Sequence, residues 1–217
     1  MSEVERMDVF KSVHKGLRRA LFNLALQAGT ADPDKPEELA ALAFQAREVF
    51  HFLEHHARNE DRFLAPMLET ASPASASRLK AEHADLGAEL ESLLRDLENL
   101  EKGAPPRLHA GLHAFYLALN RFIGRYLHHL NEEETELLPF LHGGFTDGEL
   151  AVFPEKSVSH TAPADQAMML GHMFPAMQPR ELRSFFETLR AKAPKEAVQY
   201  LEGLARRVLG PRAEVIG

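Results

Sequence analysis

The chain carries two copies of a short segment whose side chains could bind metal. Residues 55–66, HHARNEDRFLAP, align without a gap on residues 128–139, HHLNEEETELLP. In each copy the second histidine precedes a glutamate by four residues, giving the pairs His56 and Glu60, and His129 and Glu133. Four residues are about one helical turn, so the two members of each pair share a helix face. An imidazole nitrogen and a carboxylate oxygen placed in this way are a natural ligand pair for a transition metal.

A single pair of this kind is more often a surface hydrogen bond or part of an ion pair. The second copy favours metal binding because its flanking residues also match, with Asp61 aligned on Glu134. The first histidine of each copy, His55 or His128, lies about 100° round the helix from its glutamate. We interpret these two as exposed residues or as partners of the ligands.

Two further histidines lie in apolar stripes that precede the two copies, His14 in VFKSVHKGL and His83 in LKAEHADL. One such histidine is usually a core residue, but two at matching places indicate ligands. The resulting set of four imidazoles and two carboxylates is nearly what two metal ions need. If Glu60 and Glu133 both bridge, each ion receives two nitrogens and two oxygens, and an oxo, hydroxo or water bridge leaves one position open. Nitrogen and hard oxygen without sulfur suit iron or manganese and tolerate zinc.

The elements that must position these residues are helices. Apolar residues recur at three- and four-residue steps over four long stretches, about 4–28, 36–68, 75–101 and 107–141. Alternation with period two, which is typical of strands, does not persist anywhere. The sequence therefore predicts an all-α protein whose first domain, residues 1–143, is an up-and-down four-helix bundle. Inward side chains from such a bundle can converge on a two-metal site.

Residues 144–217 are predicted to form an extension of shorter helices, at about 163–175, 179–192 and 194–209, each beginning near a proline. Four methionines are a feature of this extension: Met168, Met169, Met173 and Met177. We expect it to pack on the bundle. Alternatively it forms a homodimer face or docks a protein partner, for which methionine is adaptable.

The order of His14, His56 with Glu60, His83, and His129 with Glu133 resembles the hemerythrin-like family, also called HHE cation-binding domains, over residues 1 to about 143. The resemblance implies a non-haem di-iron site with the histidines as terminal ligands and both glutamates as bridges. Family members bind or sense oxygen, handle nitric oxide or peroxide, or take part in iron homeostasis.

Two departures from the family narrow this expectation. Oxygen carriers of the family have a further histidine one turn away on the third helix, where this chain has Leu79 and Gly87 as the candidate positions. We therefore expect no reversible oxygen carriage, and Gly87 leaves volume beside the metals. The related iron-centre repair proteins carry a cysteine-containing N-terminal segment, whereas this chain has no cysteine, so that role is not expected.

Other candidate residues have weaker signals. Tyr126 lies one turn before His129 and could be a hydrogen-bond donor near the metals, a redox-active phenol or an ordinary core residue. His51, His109 and His113 are expected in solvent, although His113 could reach the end of the core. His160 and His172 could supply a lid over the site.

Composition limits the partners. The net charge of −7 argues against nucleic acid and against an anionic membrane surface. The acidic first residues do not have the pattern of a signal peptide, and no apolar run is long enough to span a membrane. The expected location is therefore the cytoplasm.

The sequence predicts a di-iron protein that binds oxygen, peroxide or nitric oxide and reacts with it. Oxidoreductase activity is one form that this reaction could take. The alternatives are an oxygen, iron or redox sensor without turnover, and a bundle that metal only stabilises.

Overall fold

The computed structural model describes residues 6–103 and 105–217. The bundle region contains α1 Lys11–Thr30, α2 Pro36–Asn59, α3 Ala65–Ala71, α4 Pro73–Glu101, α5 Pro105–Glu132 and α6 Leu138–Gly144. The remaining helices are α7 Asp147–Leu150, α8 Val152–Ser159, α9 Pro163–Met173, α10 Pro179–Lys192 and α11 Lys195–Leu209, with 3-10 turns at Phe174–Ala176 and Gly210–Ile216. No strand occurs in these two ranges. The all-α prediction is confirmed.

Two π-helical turns join helices that would otherwise be separate. Glu60–Leu64 connects α2 to α3, and Glu133–Leu137 connects α5 to α6. In each turn the backbone carbonyl of the glutamate accepts a hydrogen bond from the residue five positions later. A proline follows both turns, and because proline lacks an N–H and crowds the preceding turn, the wider π turn lets the helix continue. The π turns therefore begin at the two glutamates of the repeat.

The long helices form a closed ring in which α1 and α4 each pack against both α2 and α5. Apolar residues fill the ring in two clusters. One contains Leu17, Leu53 and Leu130 and continues along the long helices, away from the other cluster. The other contains Phe10 and Leu79 together with residues of α3, α6, α7 and α8. The six residues singled out from the sequence lie along their helices between these clusters, so apolar layers bound them on both sides.

One helix limit differs clearly from the sequence predictions, and two short helices were not predicted. The first helix begins at Lys11 and not near residue 4, because the Asp8 carboxylate accepts hydrogen bonds from the backbone N–H groups of Phe10 and Lys11, both at 2.9 Å. Residues 4 and 5 lie outside the described part. Helices α7 and α8 were not anticipated, although Thr146 and Glu149 form a capping box, a pattern readable from T-D-G-E.

The C-terminal region has an apolar cluster of its own, built around Phe174, Leu182, Phe186 and Leu209. Helix α9 joins this region to the bundle by packing on α1 and α2. The approach is close at Gly16, where a Cβ atom would lie 2.8 Å from Cγ of Met173. None of the described helices is long and apolar enough to cross a membrane.

Candidate metal centre

The six residues expected to bind metal are brought together in the structure. Their exposed fractions range from 0% to 8%, and the set comprises His14, His56, Glu60, His83, His129 and Glu133. They fall into two overlapping groups whose potential ligand atoms lie within 4.8 Å of one another. One group pairs His14 with His56, the other pairs His83 with His129, and both glutamates belong to each group.

Each glutamate offers one oxygen to each histidine pair. Oε1 of Glu60 lies 3.3 Å from Nε2 of His56, and its Oε2 lies 3.4 Å from Nε2 of His83. Oε2 of Glu133 lies 3.3 Å from Nε2 of His14, and its Oε1 lies 3.2 Å from Nε2 of His129. Carboxylates in this arrangement can bridge two cations.

The inward-facing atoms fit a pair of cations because none of them has another partner. The four Nε2 atoms and all four carboxylate oxygens are buried without a hydrogen bond. Buried polar atoms are nearly always satisfied, and burying a charge without compensation is costly. Eight unsatisfied atoms in two overlapping groups fit a site for metal cations, with Nε2 of each histidine as the available nitrogen.

Three of the histidines hydrogen-bond a carboxylate outside this cluster through Nδ1, the ring nitrogen that does not face inward. Nδ1 of His14 donates to Glu134 at 2.8 Å, Nδ1 of His83 to Asp61 at 2.8 Å, and Nδ1 of His129 to Glu82 at 3.0 Å. In the neutral imidazole, the form that binds metal, these bonds place the proton on Nδ1 and leave the Nε2 lone pair facing inward, as in many metal sites. Sequence reasoning did not assign a role to these carboxylates. The alignment of Asp61 on Glu134 in the repeat was the available signal.

The electrostatics of the cluster follow from burial and mutual proximity. Burial alone would lower the pKa of His14, but Glu133 and Glu134 outweigh it and raise the pKa to about 9. Burial raises the pKa of Glu60, and the charge of Glu133 adds to the shift. Burial lowers the pKa of His56, and the neighbouring His14 lowers it further. Protons held by the groups whose pKa is raised, His14 and Glu60, offset part of the buried negative charge when no metal is present.

The outer histidines of the two copies differ from each other. His55 is buried and its Nδ1 hydrogen-bonds the side-chain amide of Asn59 at 3.1 Å. His128 is exposed and its Nδ1 donates to Glu132 at 3.1 Å. Neither belongs to the two ligand groups.

The remaining histidine candidates lie outside both ligand groups. His51 pairs with Asp165 and His109 pairs with Asp34. His113 stacks near Tyr116, His160 lies against Phe63, and His172 stacks on Phe52.

Tyr126 borders the cluster. It is buried, its ring meets His129 edge-on with 5.7 Å between centroids, and its hydroxyl has no hydrogen-bond partner. Burial, followed by the charges of Glu133 and Glu60, raises its pKa well above the usual value, so the hydroxyl keeps its proton. Of the positions considered for a further histidine, Leu79 is buried in the apolar cluster, and a Cβ atom on Gly87 would meet no atom within 4 Å.

Comparison with known proteins agrees with this geometry. The family described as "Hemerythrin HHE cation binding domain" matches residues 6–141. A relative from Dickeya chrysanthemi (strain Ech1591), "Iron-sulfur cluster repair protein YtfE", is 26% identical over 134 residues, which are 60% of this chain and 60% of the relative. The chain therefore spans about 60% of that relative's length. No solved structure matches the chain significantly. Because the family match covers more than half of the chain and contains both ligand groups, the chain belongs to the hemerythrin HHE cation binding domain family.

Proposed function

We propose that the centre holds two iron ions, with His14 and His56 binding one and His83 and His129 the other, and with Glu60 and Glu133 shared. The single observation that carries this proposal is the convergence of eight buried ligand atoms that have no partner of their own. The solvent-derived oxo or hydroxo bridge expected from the sequence is part of the proposal. Manganese or zinc would fit the same donors, and membership of this family favours iron.

The reaction we propose is the reduction of a small oxidant such as oxygen, peroxide or nitric oxide. When bound, iron supplies the one-electron steps between its ferrous and ferric states. The protein supplies the rest: Glu134, Asp61 and Glu82 fix three imidazole rings through their Nδ1 protons. Apolar clusters on both sides of the site limit the access of water and favour small uncharged molecules.

Tyr126 is the residue we propose as a hydrogen-bond donor to the bound oxidant. Its hydroxyl is buried and unpartnered, and the raised pKa keeps it protonated. The alternative role as a core tyrosine predicts an unchanged reaction in Tyr126→Phe, with stability equal to or above that of the wild type, because the hydroxyl that is removed has no partner. The proposed role predicts a slower reaction with oxygen or peroxide at unchanged metal content.

The experiment that tests the proposed function measures metal content together with absorption spectra under air and under nitrogen. Two irons per chain and a near-ultraviolet absorption that develops when the reduced protein meets air would support it. A stable oxygen complex that releases oxygen under vacuum would instead show a carrier. An absorption spectrum that does not change with oxygen would instead support the alternative of a bundle that metal only stabilises.

A sensor is the second candidate, favoured by the contact between α9 and the helix that carries His14. Met173 lies against Gly16, two residues from His14, so a change at the metals could be passed to the C-terminal region and on to a protein partner. Different proteolysis patterns of that region in the oxidised and reduced proteins, without substrate turnover, would favour sensing.

Iron–sulfur cluster repair was not expected from the sequence, because the chain has no cysteine, but it is the role named for the Dickeya relative and can be tested directly. The similarity between that relative and this chain extends over 134 residues. Transfer of iron from this protein to an apo iron–sulfur protein would support repair, and retention of iron would argue against it.

A further inference from the structure

The two halves of the bundle are alike around the metal centre but differ on their outer surfaces. In the internal repeat, α1 corresponds to α4 and α2 to α5. Helix α9 covers the α1–α2 side with contacts that include Asp165 with His51 at 3.0 Å, His172 with Phe52, and Met173 with Gly16. The α4–α5 side carries instead a groove of about 430 Å³.

The groove is the counterpart of the face that α9 covers. Gly124 and Arg125 in its lining occupy the repeat positions of His51 and Phe52, the two α2 residues that α9 contacts. His128 in the lining corresponds to His55, which is buried on the covered side. One side of the centre is therefore sealed by the C-terminal region, and the other side is left with a cavity.

The groove reaches the metal centre at His129. This histidine lines the groove, yet its Nε2 is one of the buried inward atoms without a partner. Its Nδ1 donates to Glu82, another lining residue, at 3.0 Å. The corresponding position in the covered half holds Val13, so this carboxylate is a feature of the groove side alone.

The lining has the chemistry of a transient cation site. His128 and Glu132, bonded at 3.1 Å, offer the same donor types as the buried centre. Within the lining, the carboxylates of Glu82 and Glu132 outnumber the one cation, Arg125, which is itself paired with Glu89. Arg78, outside the lining, lies 3.8 Å from Glu82 but is also paired with Glu136, so the groove keeps an excess of negative charge. A cleft with excess charge of one sign concentrates ions of the opposite sign and raises their association rate.

We infer that divalent metal ions reach the buried centre through the α4–α5 groove. Glu132 and His128 hold the incoming ion at the surface, Glu82 and His129 form the inner end of the route, and α9 closes the opposite side. The inference rests on the proposed function only in requiring that the centre binds metal.

The test is the rate of metal uptake by the metal-free full-length chain. Co²⁺ or anaerobic Fe²⁺ is mixed in a stopped-flow instrument, and the final metal content is measured in parallel. In His128→Ala/Glu132→Gln we expect uptake to slow by about tenfold, the lower end of the effect of charge-lined clefts on association rates, with the final content unchanged. Gly124→Leu, a separate steric variant, should also slow uptake.

The matched control is His55→Ala/Asn59→Ala, which removes the corresponding bonded pair on the covered side. Its uptake rate should equal that of the wild type. Wild-type rates in both groove variants, or an equal slowing in the control, would overturn the inference. Loss of final metal content in the groove double variant would also overturn it, because His128 and Glu132 would then be ligands. A wild-type chain that takes up no metal refutes the proposed function itself.

Discussion

Replacement of Asp61 by alanine gives a direct test of the carboxylates behind the histidines. Asp61 accepts the Nδ1 proton of His83 at 2.8 Å while its own side chain remains 41% exposed. The substitution therefore removes a hydrogen bond from a candidate ligand without leaving a cavity in the core. Loss of such an outer partner typically weakens metal binding by about 10- to 100-fold, which corresponds to about 1.4–2.8 kcal/mol. We expect the affinity of one of the two metal positions to fall by this amount.

The assay is competition with a chromophoric chelator at neutral pH, which resolves the two binding constants. Asp61→Asn should show a smaller loss, because the amide oxygen can still accept the Nδ1 proton. The matched control is Asp34→Ala, which removes the partner of His109, an exposed pair at 3.2 Å. Unchanged affinity in Asp61→Ala, or an equal loss in Asp34→Ala, would refute the assignment of Asp61 as a positioning residue.

Three further predictions concern other parts of the molecule. His56→Ala should sharply reduce bound metal whereas His55→Ala should leave it near the wild-type level; equal losses in metal analysis would show that the ligand face is wrong. Between pH 6.5 and 9 the free energy of unfolding of the metal-free protein should fall by about 3 kcal/mol from His14 alone. Folding raises the pKa of His14 to about 9, so its contribution is complete below pH 6.5 and is lost as the pH rises through about 9. The zinc-loaded protein should not lose stability over this pH range, because ligation needs neutral imidazole. Urea unfolding at each pH, with and without chelator, measures both proteins, and free energies of unfolding that fall in parallel would contradict this. Gly16→Ala should destabilise the protein by about 1–3 kcal/mol, because a Cβ atom would meet Met173; an unchanged melting temperature would count against a rigid contact.

The sequence determined the parts of this protein that depend on short spacing. A histidine and a glutamate four residues apart share a helix face in any α-helix, so the inward position of His56 and Glu60 followed from the helix prediction. The apolar stripes likewise gave the all-α class. The helix start at Lys11 and the capping box at Thr146 were missed even though both depend on local bonds, because apolar periodicity does not report the polar side chains that end helices.

The tertiary structure decided which distant residues meet. Asp61 and His83 come from different helices, and no spacing along the chain reveals that their side chains bond. Whether α9 covers the α1–α2 side or its counterpart on α4–α5 is also invisible in the repeat, since the inward histidines and glutamates of the two halves match. That choice depends on packing between residues far apart in sequence, such as Gly16 and Met173. Local spacing fixes which side chains face inward, whereas long-range packing fixes what surrounds them.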